Sequence, residues 1–462
     1  MDEKEIQQYE KLVLTPVNKM IPRLAVPTVI SMMITQIYNL VDAFFVGKLG
    51  TSASASIGIL LSVQAIFQAV GFMFGHGSGS IISMHLGMGD TKRANETASL
   101  SFFTAIIISL VPAILGLIFI SPLMSLLGST DTILPYSIKY GRYILISGPA
   151  LALSCVLNNI MRYEGKAFYA MIGLVSGGVL NMIGDPILMF GFDMGIDGAG
   201  LSTALSQYIS LGILFYMFAS HKTICEISPK YLRADGKGLL HILRNGLPSL
   251  IRQTFNSISS MTLNISAKPY GDAAIAAMAI VGRISFFMGS VMIGIGQGFQ
   301  PVASYNYGAH KYHRIHKAVR FTLVLSTIVL TVVAAVMFLF PDPVVRIFRD
   351  DEEVVMIGSM ALRLQCSGLS IQPLSVVTKM LFQGIGEAKK ASFTSSLRSG
   401  LYYLPALLIL PHIIGLTGVE SAQMIADILA SLTCLPILMS FMKKLPYADE
   451  KTEIDLEYER TR

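Results

Sequence analysis

The sequence predicts an all-α integral membrane protein with twelve transmembrane helices, arranged as two parallel six-helix repeats around a central cavity. Three observations carry that expectation. The 462 residues are 53% hydrophobic and only 14% charged, with a mean hydropathy of +0.60, which is too apolar for a soluble chain of this length. Apolar segments recur every 30 to 40 residues or so, each close to the ~20 residues that cross a hydrocarbon core. The second half of the chain repeats the first.

The first segment, 22–46, follows a charged stretch from Met1 to Lys19 that lacks the apolar core and cleavage site of a signal peptide, so it is expected to remain as a helix. It carries Pro27 and then the polar run Gln36, Tyr38, Asn39 and Asp42. Segments 53–86 and 97–121 come next, the former with Gly75 and Gly77. Segment 134–160 ends on Asn158-Asn159, 167–191 holds Asn181 and Asp185-Pro186, and 196–219 carries Thr203. His221 to Lys237 is polar and basic and reads as a linker. The second set is 239–266, 274–307, 317–340, 353–380, 391–413 and 417–442. The expected organisation is a first lobe over 1–220, a cytoplasmic linker over 221–238, a second lobe over 239–443 and a cytoplasmic tail over 444–462.

Sliding the sequence by 221 residues aligns Pro27 with Pro248, Gly50 with Gly271, Gly75 with Gly296, Gly77 with Gly298, Gly87 with Gly308 and Arg93 with Arg314, without a gap. A shift of 220 pairs Gly148 with Gly368, Gly195 with Gly415 and Gly198 with Gly418. Fixed-period self-similarity marks duplicated architecture. Six crossings return the chain to its starting side, so the halves are parallel repeats about an axis along the membrane normal.

The net charge of +6 is explained by topology. Lys4, Lys11, Lys19, Arg23, Lys92, Arg93, Arg162, Lys166, the linker cations, Lys311, Arg314, Lys389, Lys390, Lys443, Lys444, Arg460 and Arg462 fall on one side, against Lys48, Lys268, Arg346 and Arg349 on the other. The positive-inside rule then makes both termini cytoplasmic, and no nucleic-acid partner is expected. Cys155, Cys225, Cys366 and Cys434 have no metal or redox spacing. No Gly-x-x-x-x-Gly-Lys-Ser/Thr loop, His-Glu-x-x-His pair or paired Asp-rich motif occurs, so neither an ATP-driven pump nor an enzyme is expected, and no cofactor. His310, His313 and His316 share a helical face in a basic loop, open to a metal reading or to lipid head-group contact.

Function should sit where polar groups enter apolar segments. An aspartate at bilayer depth costs roughly 2.5–3.5 kcal/mol, so two of them, Asp42 and Asp185, point to a bound cation or proton. Asn181 and Asp185 are four residues apart and lie on one helical face. Pro186 has no amide hydrogen, which frees the Met182 carbonyl, and Thr203 or Asn158 can complete an oxygen shell. Two carboxylates close together do not both stay ionised without a cation between them, so one takes up a proton when no metal ion is bound. At the 221 shift Asp42 falls on Leu263, so the acids are not needed to build the bundle. Arg252, Arg283, Arg363, Lys379 and Arg398 lie in or beside apolar segments, where cations face a cavity or snorkel. The 25 methionines, Met161 and Met292 among them, suit an adaptable apolar pocket or ordinary packing. Gln36, Tyr38 and Asn39 form a polar turn that would be penalised against lipid, which favours substrate contact.

The string Asn39 to Gly50, the Asn181 to Pro186 motif followed by Gly195 to Gly200, and Gly298-Phe299-Gln300-Pro301 through Asn306 to Ala309 together resemble the multidrug and toxic compound extrusion (MATE) family over residues 20–443. The resemblance implies two six-helix lobes around a V-shaped cavity, exporting cationic or amphipathic drugs against inward protons or sodium ions. It is similar to the bacterial branch whose cation site lies in the N-terminal lobe. That site carries over to Asp42, Asn158, Asn181, Asp185 and Thr203, with Tyr140 as a further candidate, and Na+ would sit at Asp42, Asn181 and Asp185. Gln36, Tyr38, Asn39, Met161, Asn256 and Met292 are the candidate substrate contacts, and Pro27 and Pro186 the candidate hinges. Asn256 and Gln372 stand where some members carry a second acidic pair. The implied setting is the bacterial cytoplasmic membrane, with membrane lipids as surroundings and a monomer sufficient. The alternative is a flippase for a lipid-linked saccharide, whose polyanionic cargo favours a cavity rich in arginine and lysine.

Overall fold

The computed structural model describes residues 3–233, 235–452, 454–455 and 458–459. Arg460 and Arg462, counted above on the cytoplasmic side, lie outside the described residues, as does the side chain of Lys4. The described residues are almost entirely helical, without a strand. Twelve long elements follow the predicted segments: α1 Val17–Gly47, α2 Thr51–Gly87, α3 Thr91–Ile118, α4 Leu134–Tyr163, α5 Ala167–Gly191, α6 Gly195–Ala219, α7 Gly236–Ala267, α8 Asp272–Gly308, α9 Tyr312–Leu339, α10 in two pieces (Glu352–Leu369 and Gln372–Gly384), α11 Ala388–Ile414 and α12 Leu416–Lys444.

Ten of these helices are long and apolar enough to cross a membrane, and α10 makes an eleventh as a bent pair. The twelfth, α7, has the length at 32 residues, but Arg244, Asn245, Arg252, Gln253 and Asn256 make it more polar than a simple apolar span. Helix α10 is broken into Glu352–Leu369 and Gln372–Gly384, bent by 56°. Pro373 stands in the first turn of the second piece and offers no amide to the Leu369 carbonyl, so the helix cannot run through.

Contacts divide the chain into two units, one of residues 1–8 and 30–246 and one of residues 9–29 and 247–462. Helix α1 therefore gives its first 13 residues, 17–29, to the second unit, and α7 gives 236–246 to the first. In the first unit α4 is the central helix, with 89% of its spanning window buried. A stripe of glycines on α2 admits it: a Cβ on Gly71, Gly75 or Gly79 would meet Ala152 and Cys155, Asn159, or Tyr163 at under 3.0 Å. Small residues at i, i+4 and i+8 let two helices approach closely inside a membrane. The same device joins α5 to α6, where a Cβ on Gly173 would lie 2.4 Å from Leu214 and one on Gly177 2.9 Å from Ser210.

The repeat is visible in the backbone. Gly50 and Gly271 open α2 and α8 with φ of 112° and 92°, Gly165 and Gly386 have φ of 74° and 78°, and Gly195 and Gly415 have φ of 56° and 62°. These are left-handed or extended positive-φ positions that glycine occupies without strain. In the second unit the histidine trio meets the C-terminal tail: His310 pairs with Glu450 at 2.9 Å, and the rings of His313 and His316 pack on Tyr447.

Candidate cation-binding site

Three helices of the first unit bring the polar residues together. Gly178 of α5 leaves room for the Tyr38 ring, 3.3 Å from where a Cβ would stand, and this seats the polar end of α1 against α5. Gly184 does the same for α6, since a Cβ there would lie 2.5 Å from Ser202 Oγ. The side chains then form a network centred on Asn181, whose Nδ2 donates to Asp185 Oδ1 at 3.1 Å and reaches Ser202 Oγ and Thr203 Oγ1 at 3.3 Å each. Ser202 Oγ donates back to the Asn181 carbonyl at 3.3 Å, locking the two helices at this level.

Asp42 and Asp185 lie within electrostatic reach of each other. Asp185 is fully buried, and Asp42 Oδ1 and Asp185 Oδ2 are both buried without a hydrogen-bond donor. Two carboxylates that share a site need a proton or a cation between them. Tyr140, 2% exposed on α4, lies beside Thr203 and within electrostatic reach of both acids. Pro186 ends the α-helical part of α5, and a π-helical turn over Ile187–Gly191 follows. Such register expansions recur at functional sites.

A cavity of about 80 Å³ adjoins the network and is lined by Tyr38, Asn158, Asn181 and Thr203 of the predicted residues. Asn158 is oriented by donating from Nδ2 to the Ala170 carbonyl at 2.8 Å, which turns its side-chain oxygen free for another partner. The remaining predicted contacts are dispersed. Gln36 is half-buried and Asn39 exposed, while Met161 is fully buried. Asn256 and Met292 belong to the second unit, where Asn256 Oδ1 accepts from Ser399 at 2.7 Å and Met292 is packed in α8. Pro27 stands two residues before the point in α1 where the chain passes from the second unit to the first.

Sequence reasoning passed over Ser202, the second hydroxyl on Asn181, and the cavity-lining Gln68, Phe72, Ser206 and Gln207. Ser202 had a signal in its position beside Thr203, and Ser206 and Gln207 in their place one turn further along α6. Among the described residues no group of three or more His, Cys, Asp or Glu side chains is arranged to hold a metal ion. The donors beside the two carboxylates are amide and hydroxyl oxygens, a set that suits a hard monovalent cation or a proton.

The profile of the MatE family matches residues 27–187 and again residues 248–408, two stretches 221 residues apart. Over 446 residues the chain is 26% identical to the multidrug export protein MepA of Staphylococcus aureus, covering 96% of this chain and 98% of that protein. Over 459 residues it is 26% identical to MepA of Staphylococcus haemolyticus, covering 99% of this chain and 100% of that one. A solved structure, the outward-facing conformation of a multidrug resistance MATE family transporter of the MOP superfamily, is similar with a TM-score of 0.90 and 26% identity over 96% of this chain and 100% of that one.

Proposed function

This chain belongs to the MatE family of membrane transporters, and from that premise we propose that it exports cationic or amphipathic organic compounds in exchange for protons or sodium ions. The reading draws its substrate class from the MepA relatives, which are multidrug export proteins. Its coupling site is the pair Asp42 and Asp185, and the observation that carries it is the two buried carboxylate oxygens without donors. Asn181 holds Asp185 Oδ1, Thr203 and Tyr140 stand beside the pair, and Asn158 offers an amide oxygen from the adjoining cavity.

In this mechanism a cation entering between the carboxylates discharges their mutual repulsion and draws α1 toward α5. Pro186 and the π-helical turn after it give α5 the freedom to respond, and Pro27 gives it to α1. Arrival of the ion lowers affinity for the drug, and release of the ion to the cytoplasm restores it. Both termini are taken to be cytoplasmic, in a bacterial cytoplasmic membrane, and a monomer suffices. The lipid-linked saccharide alternative is not favoured, because the cavity of the first unit is lined by neutral and apolar residues.

The test is ethidium efflux from proteoliposomes under an imposed proton or sodium gradient. Native protein should drive efflux, and Asp42→Asn and Asp185→Asn should each reduce the gradient-driven rate at least tenfold. Efflux unchanged in both variants would remove the site; no efflux under either gradient would remove the exporter reading.

A further inference from the structure

The second unit repeats the helices that surround the cavity beside Asn158, so its residues at the corresponding positions can be read from the repeat. The 221 shift that pairs the positive-φ glycines Gly165 and Gly386 places Lys379 on Asn158 and Arg398 on Gly177. The 220 shift that pairs Gly195 and Gly415 places Asp427 on Gln207. Asn158, Gly177 and Gln207 all line the cavity of the first unit. Where that unit has two amides and a glycine, the second has two cations and one carboxylate.

These charges lie together. Arg398 Nε donates to Asp427 Oδ1 at 2.5 Å and its Nη2 reaches Oδ2 at 3.4 Å. Gln423 Nε2 adds a bond to Asp427 Oδ1 at 3.0 Å, and the Gln372 side-chain oxygen, with its amide turned to match its neighbours, accepts from Arg398 at 2.5 Å. Asp427 is 3% exposed, and its charge is committed to Arg398. Arg398 itself stands on a π-helical turn, Leu397–Tyr402, the irregularity that also follows Pro186 in α5.

Lys379 is the exception. It lies within electrostatic reach of Arg252 on α7 and of Arg398 and Asp427, which turns it to the interior of its unit rather than to lipid. It is only half-buried, and it makes no hydrogen bond or ion pair among the described residues. An ammonium held at membrane depth, with the nearest carboxylate already paired to another cation, is costly and is relieved by an incoming anion.

We propose that Lys379, backed by Arg398, forms an oxyanion-binding site in the second unit that takes the carboxylate of amphipathic organic substrates. The proposal rests on the export reading for its substrate class. It extends that class from cations to molecules that carry a carboxylate as well, held by a point charge on a flexible stem beside a planar guanidinium fixed by its own partner.

Anisotropy of two dyes with the purified full-length protein in non-ionic detergent tests it. Rhodamine 110 carries a free carboxylate, and rhodamine 123 is its methyl ester, so the pair differs in that group alone. The native protein should bind the acid about fivefold more tightly than the ester or better. Lys379→Gln should erase that preference while leaving ester binding in place, and Lys379→Arg should keep it. Equal affinities in the native protein, or a preference that survives Lys379→Gln, would overturn the site. Loss of the preference on adding phosphatidylglycerol would assign the oxyanion to lipid and overturn the substrate assignment. Gradient-driven efflux of the ester reports on the export reading separately, because it does not require Lys379.

Discussion

At the scale of single residues, burial decides what each polar group can do. Asn181 is legible from sequence because it stands four residues before Asp185, yet its second and third partners, Ser202 and Thr203, come from another helix and follow from packing alone. Glu164 shows the same limit at the C-terminal end of α4. Nothing in its local sequence marks it, but its side chain accepts from the amides of Ile224 at 2.9 Å and Cys225 at 3.0 Å, clasping the segment after α6, and it is fully buried. Burial pushes its carboxyl up from 4.5 to about 6, in spite of the two amides, which act in the opposite direction. The folded state therefore favours the protonated acid. Its contribution is fully present below pH 4.5 and is lost as pH rises through about 6, on the order of 2 kcal/mol. Between pH 4.5 and 7 the thermal midpoint of the native protein should consequently fall further than that of Glu164→Gln; parallel curves would show that Glu164 does not titrate in this range.

At the scale of elements, the twelve apolar segments were readable because hydropathy and length are properties of composition, and their bounds lie within a few residues of the helices. Breaks inside helices were not. The bend in α10 depends on Pro373 meeting a carbonyl four residues back, and the π-helical turns in α5 and α11 depend on how side chains settle against neighbours. Glycine spacing told more than it was asked to, since the stripe Gly71, Gly75 and Gly79 specifies where α4 lies. Among the described residues the tightest approach to backbone is on α7, where a Cβ on Gly246 would stand 2.0 Å from the Met73 carbonyl oxygen of α2. Backbone cannot yield as a side-chain tip does. Gly246→Ala should therefore destabilise the protein by about 1–3 kcal/mol, read as a lower thermal midpoint, whereas Gly282→Ala in α8, with nothing within 4 Å, should leave the midpoint unchanged. Equal midpoints for the two variants would contradict this packing.

At the scale of the whole molecule, duplication separates what builds the fold from what performs the function. Three pairs of positive-φ glycines recur in the two halves, and the family profile matches twice at the same spacing. The charges at these sites do not recur: Asp42 has Leu263 as its counterpart, Asn158 has Lys379 and Gly177 has Arg398. The two copies share the scaffold and differ in their charges, an acid pair in the first unit and the cluster of Lys379, Arg398 and Asp427 in the second. In the proposed mechanism export turns on exchange at the acid pair, and proton release on drug binding measures that exchange directly. When ethidium is added to the purified protein in weakly buffered, sodium-free detergent solution near neutral pH, its binding should release protons, and that release should be abolished in the Asp42→Asn, Asp185→Asn double variant. Ethidium binding to the native protein with no proton release, or with the same release from the double variant, would contradict it.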